Sequence, residues 1–125
     1  MKLFDSTVLI AHLRGVPEGT TLLREAVQAQ DATCSVLSRV EIEGGMRSGE
    51  RSAVARLFGV LRVEPVTDTI ARRAGEHVRA FRRSHPGIEL TDYVIAATVE
   101  VLGAELLTLN VKHFPMFPGL TPAFP

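Results

Sequence analysis

Short apolar segments alternate with longer helix-like ones along nearly the whole chain, and this alternation constrains the fold more than any other feature. "KLFD" reads as a short strand ending at Asp5. "STVLIAHLR" reads as a helix, with Gly15 to Gly19 as the turn after it. Thr20 or Thr21 starts "TLLREAVQAQ". "ATCSV" is strand-like, and "LSRVEIEGGMRSG" reads as a helix closed by Gly49. "ERSAVARLFGVLR" follows, with Val54, Leu57, Phe58 and Leu61 on one stripe. "VEPV" is a short strand whose Pro65 suggests an edge or an end. Asp68 or Thr67 caps an amphipathic helix through about Ser84, with an inner stripe of Ile70, Ala74, Val78 and Phe81. "HPG" stops it. A nearly all-apolar helix spans Thr91 to Gly103, and "AELLTL" reads as a buried strand. The tail from Phe114 to Pro125 mixes four prolines with apolar residues, so it packs on the surface or at a partner interface.

Strand-helix alternation of this kind implies an α/β fold, a mostly parallel sheet with helices on both faces. At 125 residues the chain is expected to form one domain, residues 1–125. No run of about 18 uncharged apolar residues exists to span a bilayer. Asp5 interrupts the apolar start and no small-residue cleavage site follows, which argues against a secretory signal. The single cysteine, Cys34, forms no internal disulfide and supplies no metal-ligand spacing. It reads as a small core residue, and the expected compartment is the cytoplasm.

The net charge of zero hides a segmental asymmetry. Residues 1–46 carry four basic and six acidic side chains, residues 47–85 nine and four, and residues 86–125 one and four, for nets of −2, +5 and −3. All nine central bases are arginines, which favour bidentate phosphate contact. Arg72, Arg79 and Arg83 form the outer row of the 68–84 helix. The plain alternative is a solvated helix face.

In open parallel sheets, ligands bind outside the carboxyl ends of the strands, where Asp5 sits. A helix cap is the simpler explanation for Asp5 alone. Leu37 and Val40 share a helix face with Glu41, Gly44 and Gly45, which predicts that Glu41 points toward the sheet. The two glycines then make sense if this stretch approaches another backbone. Asp92 lies in the first turn of its helix, aligned with Ile95, Ala96, Val99 and Leu102. The helix dipole favours an acid there, but Thr91 already offers a cap. Thr108 ends the last strand, so Thr108 and Asn110 arrive at the edge that holds Asp5, with Lys112 and His113 nearby.

Three inward carboxylates within about 4 to 6 Å repel one another and are driven toward protonation unless a cation compensates. Oxygen donors without His or Cys spacing suit a hard ion, Mg²⁺ or Mn²⁺. Such ions polarise phosphoryl oxygens and activate water. An arginine-rich flank beside an acidic pocket suits a polyanionic substrate with a scissile phosphodiester.

Asp5 followed by Ser-Thr, Glu41 within "SRVEIEGG", "LTDYVIAAT" around Asp92 and "LLTLNVKHF" near the end, in this order, resemble the signature of PIN-domain ribonucleases, specifically the VapC-like toxins of bacterial toxin-antitoxin pairs. The resemblance spans essentially the full chain. It implies a three-layer α/β/α sandwich around a four- or five-stranded parallel sheet, and a Mg²⁺- or Mn²⁺-dependent endoribonuclease acting on structured RNA such as transfer or ribosomal RNA. The acids matching Asp5, Glu41 and Asp92 would bind metal, and the hydroxyl matching Ser6 or Thr7 would support the site with Thr108. Asn110 stands where the family often has a fourth aspartate. It can orient water but adds no charge, leaving a second metal site short of an acid. The resemblance also implies a homodimer and a cognate antitoxin held by the helical hairpin 37–61, which would explain the Val54, Leu57, Phe58 and Leu61 stripe.

Other classes fit less well. A phosphotransfer enzyme of the haloacid-dehalogenase type needs a second aspartate two places after the first, where this chain has Thr7. A flavodoxin-like signalling domain wants a paired acid before its acceptor aspartate. The remaining alternative is a catalytically silent PIN-like module that binds RNA or protein.

Overall fold

The computed structural model describes residues 1–125. In chain order the elements are β1 (Lys2–Phe4), α1 (Ser6–Leu13), α2 (Pro17–Gln28), β2 (Ala32–Ser35), α3 (Val36–Gly45), α4 (Arg51–Val60), β3 (Arg62–Glu64), α5 (Asp68–Phe81), α6 (Leu90–Leu102) and β4 (Glu105–Leu107), followed by a 3-10 turn at Val111–His113. The four strands form one parallel sheet in the order β3-β2-β1-β4.

Side chains alternate across the sheet and build two cores. Phe4, Cys34 and Leu107 pack with residues of α1 to α4 on one face. Leu3 and Leu106 meet Ile95, Ala96 and Val99 of α6 and Phe114 of the tail on the other. The register Leu3 opposite Leu106 and Phe4 opposite Leu107 keeps like faces together. A third cluster joins α5 to α6 through Ile70, Ala74, Tyr93, Val94 and Ala97. The result is the three-layer α/β/α arrangement, with four strands. Burial pushes the Cys34 thiol up to about 12, opposed by Arg39, in keeping with a core position.

Several local expectations are corrected. The second helix starts at Pro17 rather than at Thr20 or Thr21, because proline at the first helical position needs no amide partner. Gly19 therefore lies inside α2, where a Cβ would stand 3.1 Å from the His12 backbone nitrogen, so glycine permits the tight α1–α2 approach. The third helix ends at Gly45, and Gly49, at φ 89°, turns the chain into α4. Gly44 and Gly45 approach no other backbone, since nothing lies within 4 Å of a Cβ at either. The all-apolar helix begins at Leu90 with Glu89 at its cap, which puts Thr91 within the first turn. The last strand, β4, is buried as expected at Leu106 and Leu107, although it lies at a sheet edge. Thr67 is the cap of α5, accepting from the Ile70 amide at 3.2 Å.

The α4 stripe of Val54, Leu57, Phe58 and Leu61 is buried in the protein's own first core, so an absent partner is not needed to account for it. The tail also folds back. The Ala123 amide donates to the Thr108 carbonyl at 2.9 Å, and Phe114 is fully packed in the second core.

Candidate active site at the carboxyl edge of the sheet

Asp5 leaves β1 and occupies the cap position of α1, yet its side chain makes no capping bond. Its Oδ2 instead accepts from the hydroxyls of Thr7 and Thr108, each at 2.8 Å. Those hydroxyls are fixed in turn by backbone donors: Leu109 N to Thr7 Oγ1 and Asn110 N to Thr108 Oγ1, both 3.0 Å. The helix-cap explanation of Asp5 is thus set aside by its partners. Thr108 reaches it because β4 lies beside β1.

Glu41 stands differently from its expected orientation. Val40 is 66% exposed, and the buried residues of α3 are Ser38 and Ile42. Glu41 sits at the exposed flank of the helix. It reaches the edge sideways, where Ser6 donates to its Oε1 at 2.7 Å and shares a second bond, 2.9 Å, with Ser38. Ser6, next to Asp5 in the chain, therefore serves the second acid, while Thr7 serves Asp5. Hydropathy gives no signal for Ser38; its position three residues before Glu41 does.

Asp92 lies in the first turn of α6. Its Oδ2 accepts from the Glu89 amide at 3.1 Å and faces His113 Nδ1 at 2.9 Å. Asn110 contacts the same His113 nitrogen at 2.8 Å, so position 110 touches Asp92 only through the imidazole. Each acid has one oxygen engaged by the protein and one with no protein partner.

The carboxyls sense one another. Burial raises the Glu41 pKa, the Ser6 hydrogen bond opposes it, and the charges of Asp5, Asp92 and Glu89 raise it further. Burial likewise raises Asp92, against the Glu89 amide and His113, with Asp5 adding to the rise. Both groups hold protons in the fold at pH values where the unfolded chain, near 4.5 and 3.8, has released them. Their contribution to stability is therefore complete below those ordinary values and lost as pH rises through the elevated ones. The metal-free protein should lose stability relative to a Glu41→Gln, Asp92→Asn variant as pH is raised from about 4 to neutrality. Melting curves of the two proteins across that range check the sign, and a constant difference would contradict it.

No three His, Cys, Asp or Glu side chains converge closely enough to cage an ion by direct bonds. The donor set is nonetheless all oxygen, anionic and open on one side of each carboxylate. Mg²⁺ usually takes one or two carboxylates and keeps several waters, so the set fits a hard cation held partly through water.

Among the arginines, Arg72 lines a depression with Glu76 and Glu100. Arg73 donates to Glu100 Oε2 at 2.8 Å, and the buried His77 contacts the other oxygen. This tie between α5 and α6, which no sequence motif announces, marks the end of the α5–α6 pair remote from Asp92. Eight residues of helix separate Glu100 from Asp92, about 12 Å. Arg79 and Arg83 lie toward the other end, where α5 turns into α6 and its Asp92.

A parallel α/β/α sandwich with acids from separate elements at one strand edge defines a class, and comparison with known proteins agrees. Residues 2–115 match the PIN domain family. The chain is 52% identical to Ribonuclease VapC10 of Mycobacterium tuberculosis over 124 residues, 99% of this chain and 93% of the relative. It is 44% identical to Ribonuclease VapC19 of the same organism over 125 residues, covering 99% of this chain and all of the relative. Among solved structures, it resembles a chain of a toxin-antitoxin complex from Klebsiella pneumoniae, with a TM-score of 0.73, 26% identity and coverage of 99% and 98%. It shares its fold with a chain of DNA-bound VapBC from Salmonella typhimurium, with a TM-score of 0.76, 17% identity and coverage of 97% and 95%. The chain belongs to the PIN-domain family, in its VapC branch.

Proposed function

We propose that this protein is a metal-dependent endoribonuclease toxin that hydrolyses phosphodiester bonds in structured RNA and is neutralised by a cognate antitoxin. The observation that carries the reading is the set of Asp5, Glu41 and Asp92, delivered by three elements to one edge, each with one oxygen fixed and the other open. Mg²⁺ or Mn²⁺ held there would supply charge neutralisation at the phosphate and activation of water. The side chains do the rest. Thr7 and Thr108 fix Asp5, Ser6 fixes Glu41, and the Glu89 amide fixes Asp92. Asn110 adds a polar group without charge. Arg79 and Arg83 are the stronger candidates for the RNA backbone, with Arg72 further along the same helix. Transfer or ribosomal RNA offers the loops that shape-based recognition favours.

The purified chain with structured RNA should cleave in millimolar Mg²⁺ or Mn²⁺ and stop on chelation. Binding of metal with no turnover of any RNA tried would favour the silent-module alternative.

The antitoxin seat is proposed along α4. On one flank of α4 a depression of about 480 Å³ lies against α1 and α2, with Leu13, Leu23, Val27, Leu57 and Val60 in its lining and Arg24 and Arg56 among its charged groups. On the other flank a more charged one, about 530 Å³, lies against α3. The first suits an apolar peptide segment carrying an acid that pairs with the arginines. The 37–61 hairpin then supplies one wall, through α4, and α1–α2 the other. No helix is long and apolar enough to cross a membrane. The same reading carries a cytoplasmic location and a homodimer, the latter to be read by sedimentation.

A further inference from the structure

Asp92 Oδ2 has two protein partners of different kinds. The Glu89 amide is part of the helix start and holds the carboxylate at 3.1 Å. The His113 imidazole, 2.9 Å away, comes from 21 residues downstream and is tied to a different element. An ionised carboxylate only accepts, so Nδ1 must carry the proton in this contact, whether the ring is neutral or cationic. Asn110 meets the same nitrogen at 2.8 Å. The Asn110 atom at that distance is Nδ2; two N–H groups cannot bond each other, so a protonated Nδ1 requires the amide turned over, with its oxygen toward the ring. Asn110 and Asp92 thus meet the ring at one and the same nitrogen, and together they fix its orientation. Its backbone is equally set, since the His113 amide donates to the Asn110 carbonyl at 3.0 Å and the next residue, Phe114, is fully packed.

We propose that His113 is a positioning residue, holding Asp92 in the rotamer that turns its unpartnered Oδ1 outward for the cation. The inference rests on the function proposed above, because it assumes that Asp92 contributes to a cation site. With the Glu89 amide alone, one bond remains on Oδ2, and the carboxylate is free to rotate about χ2 and exchange its two oxygens. Partners of this type, bonded to a ligand rather than to the ion, typically change metal affinity by about 10- to 100-fold when removed.

The test uses Mn²⁺ as probe, with binding followed by loss of the free-ion electron paramagnetic resonance signal. His113→Ala should weaken Mn²⁺ binding by about tenfold or more. His113→Asn should restore most of the affinity, because its amide nitrogen falls near the place of Nδ1. His113→Gln should not, because its amide lies one carbon further out. Affinity in His113→Ala within about twofold of the parent, or equal behaviour of the Asn and Gln variants, overturns the proposal. Should the alanine variant fail to fold, the Asn and Gln pair makes the same comparison. A parent that binds Mn²⁺ while Asp5→Asn does not, with His113 variants unchanged, removes only the positioning role. A parent with no Mn²⁺ binding removes the proposed function and this inference together.

Discussion

Replacing Asp5 with alanine should abolish RNA cleavage, lowering the rate by at least about 10³-fold while the protein still folds. A metal's contribution to a developing charge is several kcal/mol, and each 1.4 kcal/mol is a factor of ten. The conservative variant Asp5→Asn should do nearly as much harm. It keeps an acceptor for Thr7 and Thr108 but removes the charge, so it separates the electrostatic role of Asp5 from its part in the hydrogen-bond lattice. Single-turnover cleavage of a structured RNA, with melting curves as the fold control, checks both. Retained cleavage in either variant, by a protein that melts like the parent, contradicts the assignment. A loss confined to unfolded samples leaves Asp5→Asn as the deciding protein.

The second large effect concerns the partner. Ala53 lines the apolar depression beside α4. Ala53→Trp should lay an indole into that space and leave the protein's own core intact. A docking segment would then lose its seat, and central pockets of this kind are worth about 2 kcal/mol or more each. Antitoxin affinity should fall by at least about 30-fold with RNA cleavage unchanged. Isothermal titration against the cognate antitoxin reads the first quantity, and gel assays of RNA the second. Undiminished affinity would move the seat elsewhere, and the charged depression between α3 and α4 would be the next to test.

Some of this architecture was legible in the residues and some was not, for reasons that differ by element. The strands and helices announce themselves by the switch between short apolar runs and 3.6-residue periodicity. Asp5 and Thr108 were readable because each directly follows a strand, and strand ends are where a parallel sheet presents polar groups. For Glu41 the sequence pattern points to the sheet edge through a stripe that includes Val40, but the rotation of α3 is set by tertiary packing of Ser38 and Ile42, and Val40 faces outward. Ser38 has no hydropathic signature, so its role in the lattice around Ser6 emerges only in three dimensions. The His77–Glu100–Arg73 tie was equally hidden, since a histidine on a mixed helix face predicts nothing about an acid 23 residues away.

The sheet order has a temporal meaning. The strand made first, β1, is completed on one side by the strand made last, β4, and Asp5 meets its Thr108 partner across 103 residues of chain. A ribosome translating this message therefore carries an incomplete pocket until the final stretch has emerged. Long-range pairing of this kind is slow to form, so the pocket around Asp5 closes only once the chain through Thr108 is free to pair with β1.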